Sequence, residues 1–113
     1  IVLHGDGSFG MNAMEFDTAV RHKAGLLVVI SNNGGWTADP NHEKPGRDLG
    51  FTRYDKLAEA LGGYGEYVEQ PEAIRPALLR ALEQVGRGVP ALVNVRTDPG
   101  ARASTVAFTN YST

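Results

Sequence analysis

Short apolar segments that end in clusters of small polar residues do most to limit what this chain can fold into. Ile1–Leu3 runs into His4 and the Gly5-Asp6-Gly7 turn, and Leu26-Leu27-Val28-Val29-Ile30 runs into Ser31-Asn32-Asn33-Gly34-Gly35. Segments that are apolar at successive positions, and no longer than a strand, suit strands covered on both faces in a parallel sheet. Parallel neighbours need a long crossover, usually a helix. Between the two segments Ala13, Met14, Phe16, Ala19 and Val20 fall at helical spacing. The spacing predicts a helix from Asn12, with Asn12 and Glu15 as a capping box, basic Arg21, His22 and Lys23 near its end, and Gly25 terminating it. Strand, helix and strand within about 30 residues make a right-handed βαβ unit.

The remainder extends the same alternation. Trp36 to Thr52 is rich in Pro, Asp, Asn and Gly and reads as a long functional loop. A helix is expected from about Arg53 to Leu61, with Leu57, Ala60 and Leu61 as its apolar side. A short strand follows over Gly65–Val68. Pro71 suits a helix start, and Glu72 to Val85 carries Ile74, Leu78, Leu79, Leu82 and Val85 as the expected buried stripe, with Pro76 near the first turn. Val89–Val95 is a third clear strand. The order β-α-β-loop-α-β-α-β predicts an α/β fold, a mainly parallel sheet flanked by helices, over residues 1–96. Residues 97–113 read as a C-terminal tail or lid segment.

Composition narrows the function classes. A formal net charge of -2 over 113 residues offers no basic field for nucleic acid. The absence of cysteine excludes a disulfide scaffold and any Cys-based zinc or iron–sulfur site, and it fits a cytoplasmic protein. No apolar run approaches the roughly 20 residues of a membrane helix. The chain opens on residues that read as a strand already under way, so we expect it to be part of a longer protein.

In parallel sheets ligands bind beyond the C-terminal strand ends, and there this sequence concentrates its polar residues. Asp6 follows the first strand and Asn33, 27 residues on, follows the next. A crossover helix brings both onto one edge of the sheet. A carboxylate and an amide oxygen are hard ligands suited to magnesium or calcium. Gly7 and Gly10 permit close backbone approach, and Ser8 adds a hydroxyl. The cluster suits a metal-bridged phosphate; the same residues also suit two ordinary αβ turns, and the residues alone leave both readings open.

Gly5-Asp6-Gly7-Ser8-Phe9, followed by Asn32-Asn33-Gly34-Gly35-Trp36-Thr37, resembles the cofactor motif of thiamine diphosphate enzymes. Tyr54–Gly62 and Pro90–Pro99 look like the closing half of that family's pyrophosphate-binding domain. The resemblance implies that Asp6 and Asn33 give side-chain oxygens to Mg2+ and Gly35 its carbonyl oxygen. It implies that Gly7, Ser8 and the backbone at Gly35 and Ala38 hold the diphosphate of thiamine diphosphate. A pyrimidine-binding domain would come from remaining chain or another subunit, in a homodimer or homotetramer. That domain would carry the glutamate that activates the cofactor, and no residue here matches it. His4 before Gly5 reads as local packing.

Within the family, Gly50–Gly65, Val89–Pro99 and the following tail look most similar to the acyl-CoA-handling branch of 2-hydroxyacyl-CoA lyases and oxalyl-CoA decarboxylases. The implied reaction splits a 2-hydroxyacyl-CoA into formyl-CoA and an aldehyde or ketone. Trp36 would border the reacting carbon or form an apolar lid over the cofactor. Arg102, Phe108 and Tyr111 would contact substrate or close the site, unless the tail simply docks on another domain. His22 and His42 read as solvated. An acetolactate-synthase-like carboligase acting on 2-keto acids is the nearest alternative; a noncatalytic fragment or degenerate subunit is the alternative of a different class.

Overall fold

Successive residues of the central strands point to opposite faces, and in this chain both faces are covered. The computed structural model describes residues 1–36 and 45–101. The elements are β1 (Val2–Gly5), α1 (Asp6–Met11), α2 (Glu15–Arg21), β2 (Leu27–Asn32), α3 (Tyr54–Ala60), β3 (Tyr64–Val68), α4 (Pro71–Gly86) and β4 (Ala91–Arg96). The strands form one parallel sheet in the order β1-β2-β4-β3. Val28, Ile30 and Leu92 meet Phe9, Phe16, Tyr54 and Ala58, so α1, α2 and α3 cover one face. Leu27, Ala91, Val93, Val95 and Val68 meet Ala77 and Ala81, so α4 covers the other. The expected α/β fold with a parallel, helix-flanked sheet is the one found.

Several local expectations need correction. The glycine turn after β1 is itself helical: Gly5 is extended (φ -78, ψ 159) and α1 starts at Asp6, whose carboxylate suits the positive end of a helix. Asn12 therefore ends α1, its N–H bonding to the Phe9 carbonyl at 3.2 Å, and no capping box forms with Glu15. β2 runs on through Ser31 and Asn32 because β4 continues beside it, with Ser31 opposite Val95 and Asn32 opposite Arg96.

Burial departs from the pattern in three places. β1 is not a covered strand: it lies at the sheet edge, and Ile1 and Leu3 are 85% and 73% exposed because α4 packs over β3 and β4. In α4 the wholly buried residues are Ala77 and Ala81, while Leu79 and Leu82 face outward; Ile74, Leu78 and Val85 flank the contact, half-buried. Small side chains let the helix approach the β-branched strand face closely. Pro76 lies in the second turn of α4 rather than the first. In α3 the buried positions are Tyr54, Asp55 and Ala58, and Ala60 is exposed.

Candidate metal and diphosphate site

Adjacent parallel strands β1 and β2 end side by side, with Gly5 opposite Ser31. The residues that follow them therefore share one corner of the sheet. Asp6 opens α1 there and is 2% exposed. The Asn33-Gly34-Gly35 turn approaches it from β2. Gly34 has φ +82, a left-handed conformation that a side chain would strain, and it lets the turn reverse toward Asp6. Beyond the turn, Gly35 bridges Asp48 antiparallel, and the Trp36 N–H donates to the Arg47 carbonyl at 2.9 Å, tying the far end of the loop back to the site.

Three oxygens converge in this corner. One amide position of Asn33 lies 3.1 Å from Oδ1 of Asp6 and 2.8 Å from the Gly35 carbonyl oxygen. Without a cation, the amide nitrogen in that position would donate to both. The Gly35 N–H, however, lies 3.3 Å from the same position and donates to an oxygen there. An oxygen is then the better occupant provided a cation offsets the repulsion among the three. Oxygens at these spacings match the edge of an octahedron with metal–oxygen distances near 2.1 Å, about 3.0 Å. The second Asp6 oxygen, Oδ2, is buried and finds no hydrogen-bond partner among the described residues. Burial pushes the Asp6 carboxyl above its usual range, opposed by the backbone N–H groups of Gly7, Gly34 and Gly35. Among the described residues no three His, Cys, Asp or Glu side chains cluster as a metal site. A cation here would be held by one carboxylate, one amide and one carbonyl oxygen, a donor set for a hard ion such as magnesium.

Gly7 sits in the first turn of α1, directly beneath the Trp36 indole. A Cβ on Gly7 would stand 2.6 Å from Trp36 Cε2, so only glycine admits this contact. Ser8 Oγ donates to the Gly5 carbonyl at 3.0 Å, one turn back. Tyr54, on α3, stacks edge-on against Phe9 at 5.2 Å and donates its hydroxyl to the Asp6 backbone carbonyl at 3.3 Å, which holds α1 in place. A mostly apolar groove of about 190 Å3 lies against β1, α1 and α2, between Val2, His4, Phe9, Phe16 and Val28; it holds none of the three oxygens. His4 packs its ring against Phe9 at 6.0 Å, the local role expected of it.

The structure thus brings Asp6, Asn33, Gly35, Gly7 and Trp36 together. His22 is exposed at the end of α2. Ala38, His42, Arg102, Phe108 and Tyr111 lie outside the described residues. Sequence reading missed a second, buried polar group behind the loop. Asn32 and Asn94 are 0% exposed and Asp55 is 1% exposed. Asn94 interrupts an otherwise apolar central strand, and that interruption was the available signal.

The family model described as thiamine pyrophosphate enzyme, C-terminal TPP binding domain, matches residues 1–95. An acetolactate synthase large subunit of Mycobacterium tuberculosis is 43% identical, over 88% of this chain and 19% of its own length. A 2-hydroxyacyl-CoA lyase of Arabidopsis thaliana is 35% identical over 91% of this chain and 20% of its own. The 2-hydroxyacyl-CoA lyase 2 of Homo sapiens is 36% identical over 85% and 17%. Among solved structures, the thiamine diphosphate-dependent 4-hydroxybenzoylformate decarboxylase of Rhodococcus jostii RHA1 superposes with a TM-score of 0.75 at 30% identity, over 85% of this chain and 19% of that one. The chain therefore spans about a fifth of the length of the proteins it matches. No helix among the described residues is long and apolar enough to cross a membrane.

Proposed function

Since the chain belongs to the thiamine pyrophosphate enzymes, as their C-terminal cofactor-binding domain, we propose that it supplies the magnesium–diphosphate anchor of a lyase acting on 2-hydroxyacyl-CoA. The observation that carries the anchor is the convergence of Asp6, Asn33 and Gly35 oxygens beside Oδ2 of Asp6, which has no hydrogen-bond partner among the described residues. Bound there, thiamine diphosphate would supply the electron sink that breaking a carbon–carbon bond requires. The chain's own residues hold and orient. Asp6, Asn33 and the Gly35 carbonyl would hold the cation, and Gly7, Ser8 and the backbone at Gly35 and Ala38 would receive the diphosphate; Trp36 covers the Gly7 backbone on one side. The activating glutamate belongs to a pyrimidine-binding domain in remaining chain or in another subunit of a homodimer or homotetramer.

The lyase reading draws support from relatives in a plant and in humans that bear that name, and its products would be formyl-CoA and an aldehyde or ketone. A second reading has its own support: the acetolactate synthases are more similar, at 43% identity, and would join 2-keto acids instead. Incubating a full-length protein that carries this domain together with its pyrimidine-binding domain, since this domain alone is expected to be inactive, with thiamine diphosphate, magnesium and either 2-hydroxyacyl-CoA or pyruvate separates the two. Formyl-CoA release is expected. Acetolactate from pyruvate without formyl-CoA release would replace the lyase reading with the carboligase one, and neither product would leave the anchor without this chemistry.

A further inference from the structure

Behind the oxygen cluster runs a chain of side-chain amides whose direction is fixed from one end. Arg53 donates to both carboxylate oxygens of Asp55, at 2.9 and 2.7 Å. A carboxylate so held only accepts, and Asn94 Nδ2 donates to its Oδ1 at 3.3 Å and to the Thr52 carbonyl at 3.0 Å. With its nitrogen committed, Asn94 must turn Oδ1 toward β2, where Asn32 Nδ2 donates to it at 3.1 Å. Asn32 Nδ2 gives its other proton to the Thr52 carbonyl at 3.0 Å. Oδ1 of Asn32 is thereby left facing the Gly34 N–H, which donates to it at 3.2 Å. Gly34 is the left-handed pivot between Asn33 and Gly35.

We infer that Asn94 is a positioning residue for the cation loop: held by Asp55 and Thr52, it orients Asn32, which grips Gly34 and so aims Asn33 and Gly35 at Asp6. The inference rests on the reading of those three oxygens as a cation site. An apolar residue in the middle of β4 would serve the sheet as well as its neighbours Leu92, Val93 and Val95 do. A buried amide there is useful because both of its ends are spoken for: reversing Asn94 alone would set nitrogen against nitrogen at Asn32 and oxygen against oxygen at Asp55, and reversing Asn32 with it would set nitrogen against nitrogen at Gly34. Asn94 touches none of the three oxygens, so it acts through Asn32 alone.

The test uses Mn2+ as the cation probe, titrated by calorimetry into the protein at saturating thiamine diphosphate. Asn94→Leu is expected to weaken Mn2+ binding about 10- to 100-fold, the range seen when groups that orient metal ligands are removed, and to speed hydrogen exchange across residues 32–36. Asn94→Ser, smaller and easily hydrated, is the second variant. A folded variant of either kind that binds Mn2+ like the wild type overturns the inference, whatever its unfolding temperature. The wild type gives an independent readout: because coupling is reciprocal, Mn2+ and cofactor should slow exchange at residues 52–55 and 94 as well as 32–36. Slowing confined to 32–36 overturns the relay. Asp6→Ala separates the levels. If it binds Mn2+ normally, the cation site falls and the relay with it; if it fails to bind while the Asn94 variants bind normally, only the positioning role falls.

Discussion

The Trp36 indole rests on the backbone of Gly7, so close that a Cβ on Gly7 would meet Cε2 at 2.6 Å and Cδ2 and Cζ2 at 2.9 Å. Three ring atoms would have to move at once. Gly7→Ala is therefore expected to lift the indole, destabilise the chain by about 1–3 kcal/mol as overpacking does, and weaken cofactor binding through the displaced turn. Trp36 is the only tryptophan in the sequence. Its emission should shift to longer wavelength in the variant. Unaltered emission together with unaltered binding would show that the indole does not seat on Gly7.

Asp6→Asn should move stability and affinity in opposite directions. The wild-type carboxylate is buried, with Oδ2 unpartnered among the described residues and Oδ1 3.1 Å from the Asn33 amide. A neutral amide removes the buried charge that desolvation disfavours, and its oxygen can still accept from the Asn33 nitrogen that faces it when no cation is bound. Urea unfolding without cation should show a gain of about 1 kcal/mol. Cofactor affinity at fixed magnesium should drop by at least about tenfold, equivalent to about 1.4 kcal/mol. A variant that loses stability and keeps its affinity would refute both halves.

Sequence periodicity captured the layers because it reports on strands buried from two sides, and Leu27 to Ile30 is such a strand. It anticipated that Asp6 and Asn33 lie at one corner of the sheet, because a crossover forces consecutive parallel strand ends onto one edge. It misjudged β1, since an apolar strand looks the same at an edge as in the centre until the sheet order is known. It also misread α1: the glycines that suggest a loop are tolerated in a short helix of six residues that Asp6 opens. The Asn32–Asn94–Asp55 chain joins residues 39 and 62 positions apart, and local pattern carries no information about such pairs.

In α4 the helix meets the sheet through Ala77 and Ala81, both 0% exposed, whereas Leu82 is 41% exposed. Ala81→Leu should force the helix away from the face that carries Leu27, Ala91 and Val93, costing about 1–3 kcal/mol. Leu82→Gln should stay within about 0.5 kcal/mol of wild type. Chemical denaturation of the two variants checks this directly. The reverse ranking would restore the leucine stripe as the buried side.

Asp55 should make stability fall in acid. Burial alone would raise its carboxyl, but the paired Arg53 guanidinium and the Asn94 amide outweigh burial and hold it below the ordinary carboxylate range. With the folded value below the unfolded one, protonation favours the unfolded chain. The stabilisation is fully present above the unfolded value of about 4 and disappears as pH falls through the folded value. Glu66, held low first by Arg80, adds to the same acid loss. The diagnostic quantity is therefore the difference in stability between wild type and Asp55→Asn, which cannot undergo this protonation. It should be largest near neutral pH and shrink steadily as pH falls below about 4. Thermal unfolding across that range measures it. A difference that stays constant with pH would mean that the charge of Asp55 contributes nothing and that only the shape of its hydrogen bonds matters.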